Sequence, residues 1–387
     1  MTTLDTSVKY FHSELPNAPV LSGTVGSLIA VLDACLVNGW GVLTAQSVTV
    51  AAGVATATFA GSHSFETDSV VLVAGASDAG VNGEHRATAT TVNSVSFPVT
   101  GVADGVISGA ITIKLAPAGW TKLAGANRAA YKSGSPSATQ CYARIDDSSA
   151  QIARIRGYEA MTDVDTGTGL FPDDVQASGG LYIQKSNAAD TSFRRWMIVA
   201  TDRQFFVLTA YYSSFGYDYS PVFFGDALSI KSGDAYRCMI AADPANWSTS
   251  PNVGSGLPLV SVDNAGGVFW ARSYTQVGGA MVGTLRHPGL SAQSGSAIHP
   301  IGPNPINNSL YVIPTLAFEG VSSAANYRGI IPGMYSIPHY VGTSFGSKSK
   351  TVGADGLPGR TMLGVHYYSY GSANGCRYMI DISGPWN

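Results

Sequence analysis

Charge is what this chain has least of. Of its 387 residues only 12% are Asp, Glu, Lys or Arg, about half the roughly 25% usual for soluble globular chains. So sparse a set implies a surface partly covered by other subunits, because depletion of charge marks contact surfaces more than free ones. The net charge is −3, so no basic field exists to gather phosphates, and direct nucleic-acid binding is not expected. Cysteine is scarce as well. Cys35, Cys141, Cys238 and Cys376 lie far apart with no C-x-x-C spacing and read as free, mostly buried thiols made in a reducing cytoplasm. No apolar run approaches the roughly 18 residues of a membrane-spanning helix. The opening MTTLDTSVKYFHSELP has neither a cationic start nor an apolar stretch, so no signal peptide is expected. P-loop, dinucleotide and H-E-x-x-H patterns are missing, and no repeat of roughly 20–50 residues argues for a solenoid or fibre shaft.

The length, at about 150 residues per domain, predicts two or three domains. Residues 1–41 read as an arm, Thr2 to Pro19, followed by one helix. In that helix Val25, Leu28, Ile29, Leu32, Cys35 and Leu36 recur at helical steps, Ser22 or Thr24 is available as a cap, and Asn38-Gly39 is a stop. Arms of this kind can lie across a neighbouring subunit, though most are simply ordered locally or frayed. Residues 42–115 change character, with short Val/Thr/Ala/Ile runs broken by Gly, Asp and Asn. Ile107, Gly109, Ile111, Ile113 and Leu115 alternate with polar or small residues, and Asn82-Gly83 is a tight-turn pair. A small inserted β-sandwich or barrel is predicted there. Residues 116–387 carry aromatic-rich runs at 195–199, 204–212, 236–241, 267–272, 310–314, 360–370 and 376–382, separated by Pro and Gly. The predicted fold is therefore mainly β: a β-sandwich-type main domain with one N-terminal helix and a small β insert.

Chemistry-bearing residues concentrate between Ala116 and Pro172. Arg144, Asp146, Asp147, Arg154, Arg156, Glu159 and Asp163 form a mixed-charge cluster. If Arg144–Asp147 and Ile152–Tyr158 pair as strands, the alternation gives cross-strand ion pairs, whereas two free carboxylates at suitable separation would suit glycan hydrolysis. Asp163 and Asp165, two apart before Gly167 and Gly169, begin as a hard-cation loop begins but lack its later ligands, so an Asx-type turn is the plainer reading. Gly342-Thr-Ser344-Phe-Gly346 matches G-x-S-x-G outside the strand-to-helix context that motif needs. His12, His63, His85, His287, His299, His339 and His366 never pair at ligand spacing. Tyr211, Tyr212, Phe215, Tyr217 and Tyr219, and again Tyr367, Tyr368 and Tyr370, cluster as either sheet packing or a recognition surface for glycan or protein. These weighings lead to an expectation of no catalytic site, no metal and no cofactor.

The chain resembles virion structural proteins of tailed bacteriophages. The likeness rests on Tyr10 to Gly23, Leu32 to Gly41, Ala116 to Trp120, Arg156 to Gly169 and the closing Asp381 to Trp386. It spans nearly the full length. The resemblance implies a virion structural component; taken with the sparse charge and β architecture, the expectation is a tail or baseplate subunit in several symmetric copies, with other virion proteins as partners and a host-surface glycan as a further one. A capsid decoration or head-fibre protein and a tail-borne glycan hydrolase are the alternatives. It supplies no catalytic residues.

Overall fold

The computed structural model describes residues 4–210, 212, 218–245, 259, 267–287, 304–321, 324–338, 348–354, 356–367 and 378–386. The protein is mainly β, 49% strand and 5% helix, in sheets that are almost wholly antiparallel.

Two of the sheets are built from residues 43–115. Leu43–Thr44, Gly109–Leu115, Val70–Ala76 and Gly83–Arg86 form a four-stranded sheet, and Ala89–Thr90, Ser94–Pro98, Val54–Thr58, Ser47–Ala51 and Gly105–Ile107 a five-stranded one. Val48, Val50, Ala55, Ala57, Val95 and Phe97 of the second share a core with Val71, Val73, Ile111, Ile113 and Leu115 of the first. The period-two burial that makes this a sandwich is the one the sequence displays. The run Ile107–Leu115, however, is two strands in different sheets. The chain crosses over at Gly109, where φ is +128° and a Cβ would stand 2.1 Å from the Gly75 carbonyl oxygen, so only glycine fits. Asn82-Gly83 does not form a two-residue turn either. Residues Ala79–Val81 make a 3₁₀ turn, and the Asn82 side chain closes the hairpin by bonding both the N–H and the C=O of Ala76 at 2.9 Å.

The main body is layered. A six-stranded sheet, Trp120–Gly125, Arg128–Ser133, Tyr142–Asp146, Ile152–Met161 and Gly167–Phe171 with Leu181–Gln184 beside Ile152–Met161, covers one face of a thirteen-stranded sheet. Along Trp196–Ala200 and Gln204–Thr209 every residue is buried. Ile198, Ala200, Phe205 and Val207 point into the core under the six-stranded sheet, and Met197, Val199, Phe206 and Leu208 into a second core on the opposite face. Burial on both faces is the reason these strands read as unbroken apolar runs. The large sheet returns on itself where Asp218 and Tyr219 pair in parallel with His366 and Tyr367.

Within the chain itself the arm is ordered locally. Lys9–His12 is an edge strand of the chain's own large sheet, paired with Met197–Ala200, and Val8, Tyr10, Phe11 and Leu15 are buried. At about 1.5–3 kcal/mol per buried large apolar side chain, the segment belongs to the monomer's stability. Deleting residues 2–19 is expected to lower the melting temperature sharply and yield aggregated protein by light scattering, not a folded chain deficient only in assembly.

The helix is present as Ser27–Leu32, continued by a π-helical stretch Asp33–Asn38 and stopped at Gly39, φ +66°. Neither Ser22 nor Thr24 caps it. The N-cap position is Gly26, and the cap is supplied from far along the chain by Asp147, whose Oδ2 accepts from the N–H of Leu28 at 2.8 Å and Ile29 at 3.2 Å.

Proline is less a loop marker than its frequency implies. Pro314 and Pro332 lie inside Ile313–Glu319 and Asn326–Ser336, and Pro358 inside Leu357–Tyr367. The pairing of the first two strands shifts register beyond Pro314, a bulge that relieves the missing proline N–H. At Gly333 within it, φ is +73° and a Cβ would strike Trp386 at 2.2 Å.

Candidate functional site

The mixed-charge cluster falls on the outer, half-exposed face of the six-stranded sheet. Tyr142–Asp146 and Ile152–Met161 pair as the alternation predicts, with Tyr142 opposite Tyr158, Arg144 opposite Arg156 and Asp146 opposite Arg154. The neighbouring strands extend these rows, placing Arg128 opposite Asp146 and Tyr182 opposite Arg154. The Arg154 guanidinium stacks 3.8 Å from the centroid of the Tyr182 ring, and Lys132 stands 5.6 Å over Tyr142. Ala129, Ala143, Ile145, Ala153 and Ile155 point the other way into the core.

Each carboxylate of the cluster is engaged. Asp146 lies 3.2 Å from Arg128 and 3.7 Å from Arg144. Burial raises its pKa, but the hydroxyl and N–H of Ser148 and the two guanidinium groups outweigh that and hold it below the usual carboxylate range. Asp165 bridges Arg144 at 2.7 Å and Arg128 at 3.1 Å, and its pKa is lowered first by the Arg144 hydrogen bond. Asp163 accepts from the N–H of Asp165 at 2.8 Å, an Asx turn that holds its pKa down as well. Glu159 receives a two-pronged grip from Arg272, Nε to Oε1 at 2.6 Å and the terminal nitrogen to Oε2 at 2.8 Å, and Arg272 in turn lies 4.5 Å over Tyr236. That pair ties the six-stranded sheet to the large one. Asp147 is not on this face at all. It is fully buried, with Lys185 as its ion partner. Arg156 is held by Asp174, and Arg154 donates to the carbonyls of Ser178 and Gly180, which pins the 172–180 loop to the sheet.

The pH dependence follows with a definite sign. A carboxylate whose folded pKa is depressed stabilises the fold above its unfolded pKa and loses that contribution as pH falls through the folded value. Asp146 is of this type, so unfolding midpoints in urea are expected to fall on acidification below the ordinary carboxylate range. Asp146→Asn should flatten that acid limb; an unchanged slope would show that the pairing contributes nothing.

The remaining motifs contribute no further convergence. His12 meets Glu66 at 3.2 Å, His63 the carbonyl of Ser94 at 2.9 Å and His85 that of Val81 at 2.9 Å, all loop-fixing contacts. Among the described residues no group of three or more His, Cys, Asp or Glu is placed to hold a metal. Tyr212 packs against the second core. Tyr211, Phe215, Tyr217, Tyr368, Tyr370, Gly342 to Gly346, His299, His339 and Cys376 lie outside the described residues, as do the side chains of Tyr219, His366 and Tyr367. Sequence reasoning missed Arg272, Arg128 and Lys185, since nothing near them in the chain marks them as partners of the cluster. No known protein-family model matches the chain, and no curated protein matches it.

Proposed function

We propose that this chain is a structural subunit of a tailed-phage virion, seated in the tail or baseplate, working through contacts with copies of itself and with other virion proteins. The observation that carries the reading is the state of the central carboxylates. A glycan hydrolase needs one carboxyl group free to give a proton and a second free to attack or activate water. Here Asp146 and Glu159 are engaged by arginines and Asp163 by a backbone turn, so they serve to join strands and layers. The scarcity of charge, 12% of residues, and the resemblance to virion proteins support the same reading.

The test is immunogold labelling of intact particles with an antibody raised against residues 42–115, alongside immunoblots of dissociated particles. Gold at the tail tip is the expected result. Gold over the head would reassign the chain to a decoration or head-fibre role, and a blank immunoblot of purified particles would overturn the virion reading.

A further inference from the structure

Two of the buried thiols are brought together by the packing of the six-stranded sheet on the large one. Cys238 opens the strand Cys238–Ala241, where its ladder partner is Asp226, and directly opposed residues project from the same face of a sheet. The Asp226 carboxylate reaches across to the other layer. It accepts from the Thr139 N–H at 3.1 Å and the Thr139 hydroxyl at 2.5 Å, and it also pairs with Arg237 at 3.1 Å. Arg237 donates to the Ser137 carbonyl at 2.8 Å. Residues 137–139 are thus clamped over the start of Cys238–Ala241, which places Cys141, two residues further on, near Cys238 in the core that the two layers share. The two thiols are 6% and 1% exposed and belong to the same core.

We propose that Cys141 and Cys238 form a redox lock, a dithiol that closes to an inter-layer disulfide when the protein leaves a reducing environment for an oxidising one. With oxidised glutathione as oxidant, the thiolate of Cys141, the less buried of the two, attacks one glutathione sulfur and releases one reduced glutathione. The Cys238 sulfur, on losing its proton, then attacks the mixed disulfide and releases the second. One protein S–S bond forms and one glutathione S–S bond breaks. The two thiol protons end on the two glutathione thiols. Burial suppresses ionisation of Cys238, which keeps the pair reduced while the fold is closed and makes transient opening the gate. The link would close a long loop between two layers already joined by the Asp226–Thr139 and Glu159–Arg272 contacts, the geometry in which a crosslink restrains the unfolded chain most. The virion reading supplies an occasion, passage out of the host cytoplasm, but the chemistry is independent of it.

The test uses the full chain carrying Cys376→Ser, incubated under native conditions with oxidised glutathione. Peptide mapping without reductant is expected to find a Cys141–Cys238 link with loss of two hydrogens, an unmodified Cys35, and a melting temperature raised by about 5 °C or more. Cys141→Ser and Cys238→Ser should each abolish both the link and the rise. A glutathione adduct that never resolves, no reaction under native conditions, or a link that leaves the melting temperature unchanged or lower would each overturn the lock. None of these outcomes bears on particle location, so failure here is separable from failure of the virion reading.

Discussion

Replacing Arg86 by alanine is expected to cost at least about 3–5 kcal/mol of stability, more than any surface change in this chain. The guanidinium is buried in the small sandwich and donates to five carbonyls: Asp5 at 2.7 Å, Asp68 at 2.8 Å, Val8 and Ile382 at 3.0 Å and Ser383 at 3.4 Å. One side chain thereby joins the N-terminal arm, the small sandwich and the C-terminal segment. Desolvation lowers its pKa, against the pull of Asp68, Asp5 and Asp381, yet it stays charged because arginine starts so high. Removing it strands several carbonyls away from water. Lysine should restore little, since three donors on one point cannot reproduce a planar fork. Urea unfolding of the full chain measures the loss directly. A deficit under about 1 kcal/mol for Arg86→Ala would mean that the carbonyls find water and the staple is dispensable.

The second large effect is expected at Asp147 and Lys185, both fully buried. The Lys185 ammonium also donates to the carbonyls of Thr24 at 2.7 Å and Ser149 at 2.9 Å, so the pair knots the helix start, the six-stranded sheet and the strand end together. Burial pushes Asp147 up and Lys185 down, against their mutual attraction, which means that desolvation outweighs pairing. A single replacement, Asp147→Ala or Lys185→Met, should therefore cost about 3–5 kcal/mol by leaving one buried charge alone. The double change Asp147→Ala with Lys185→Met should cost clearly less than the sum, because no charge is then orphaned. Additive losses in a double-mutant cycle would contradict this account.

The candidate site was legible in part. The alternation of Arg and Asp over Arg144–Asp147 and Ile152–Tyr158 is a local pattern, and the observed register pairs these strands. What no local pattern carries is which partner each carboxylate takes. Asp147 looks like its neighbour Asp146 in the sequence, yet one is a buried helix cap and the other a half-exposed ladder residue, because successive residues point to opposite faces of a strand. Glu159 finds Arg272, 113 positions away, and that contact exists only once two layers have stacked.

The same division holds for the fold. Apart from the break at Gly109, strand positions in the small sandwich followed from period-two burial, and the buried strands of the large sheet from their continuous apolar runs, since both depend on which faces of one strand meet water. The strand Asn326–Ser336 did not read as a strand because Pro332 and Gly333 inside it are loop-marking residues, and the packing of Trp386 against Gly333 is visible only in the folded chain. The arm's polarity was legible but its destination was not: only the free edge beside Met197–Ala200 makes it a strand of its own chain. Sequence alone determined that this protein is a charge-poor, mainly β chain. Tertiary structure decided which sheets stack, which charges pair and which thiols meet, because each of those is a contact between segments that only closure of the core brings within a few ångströms.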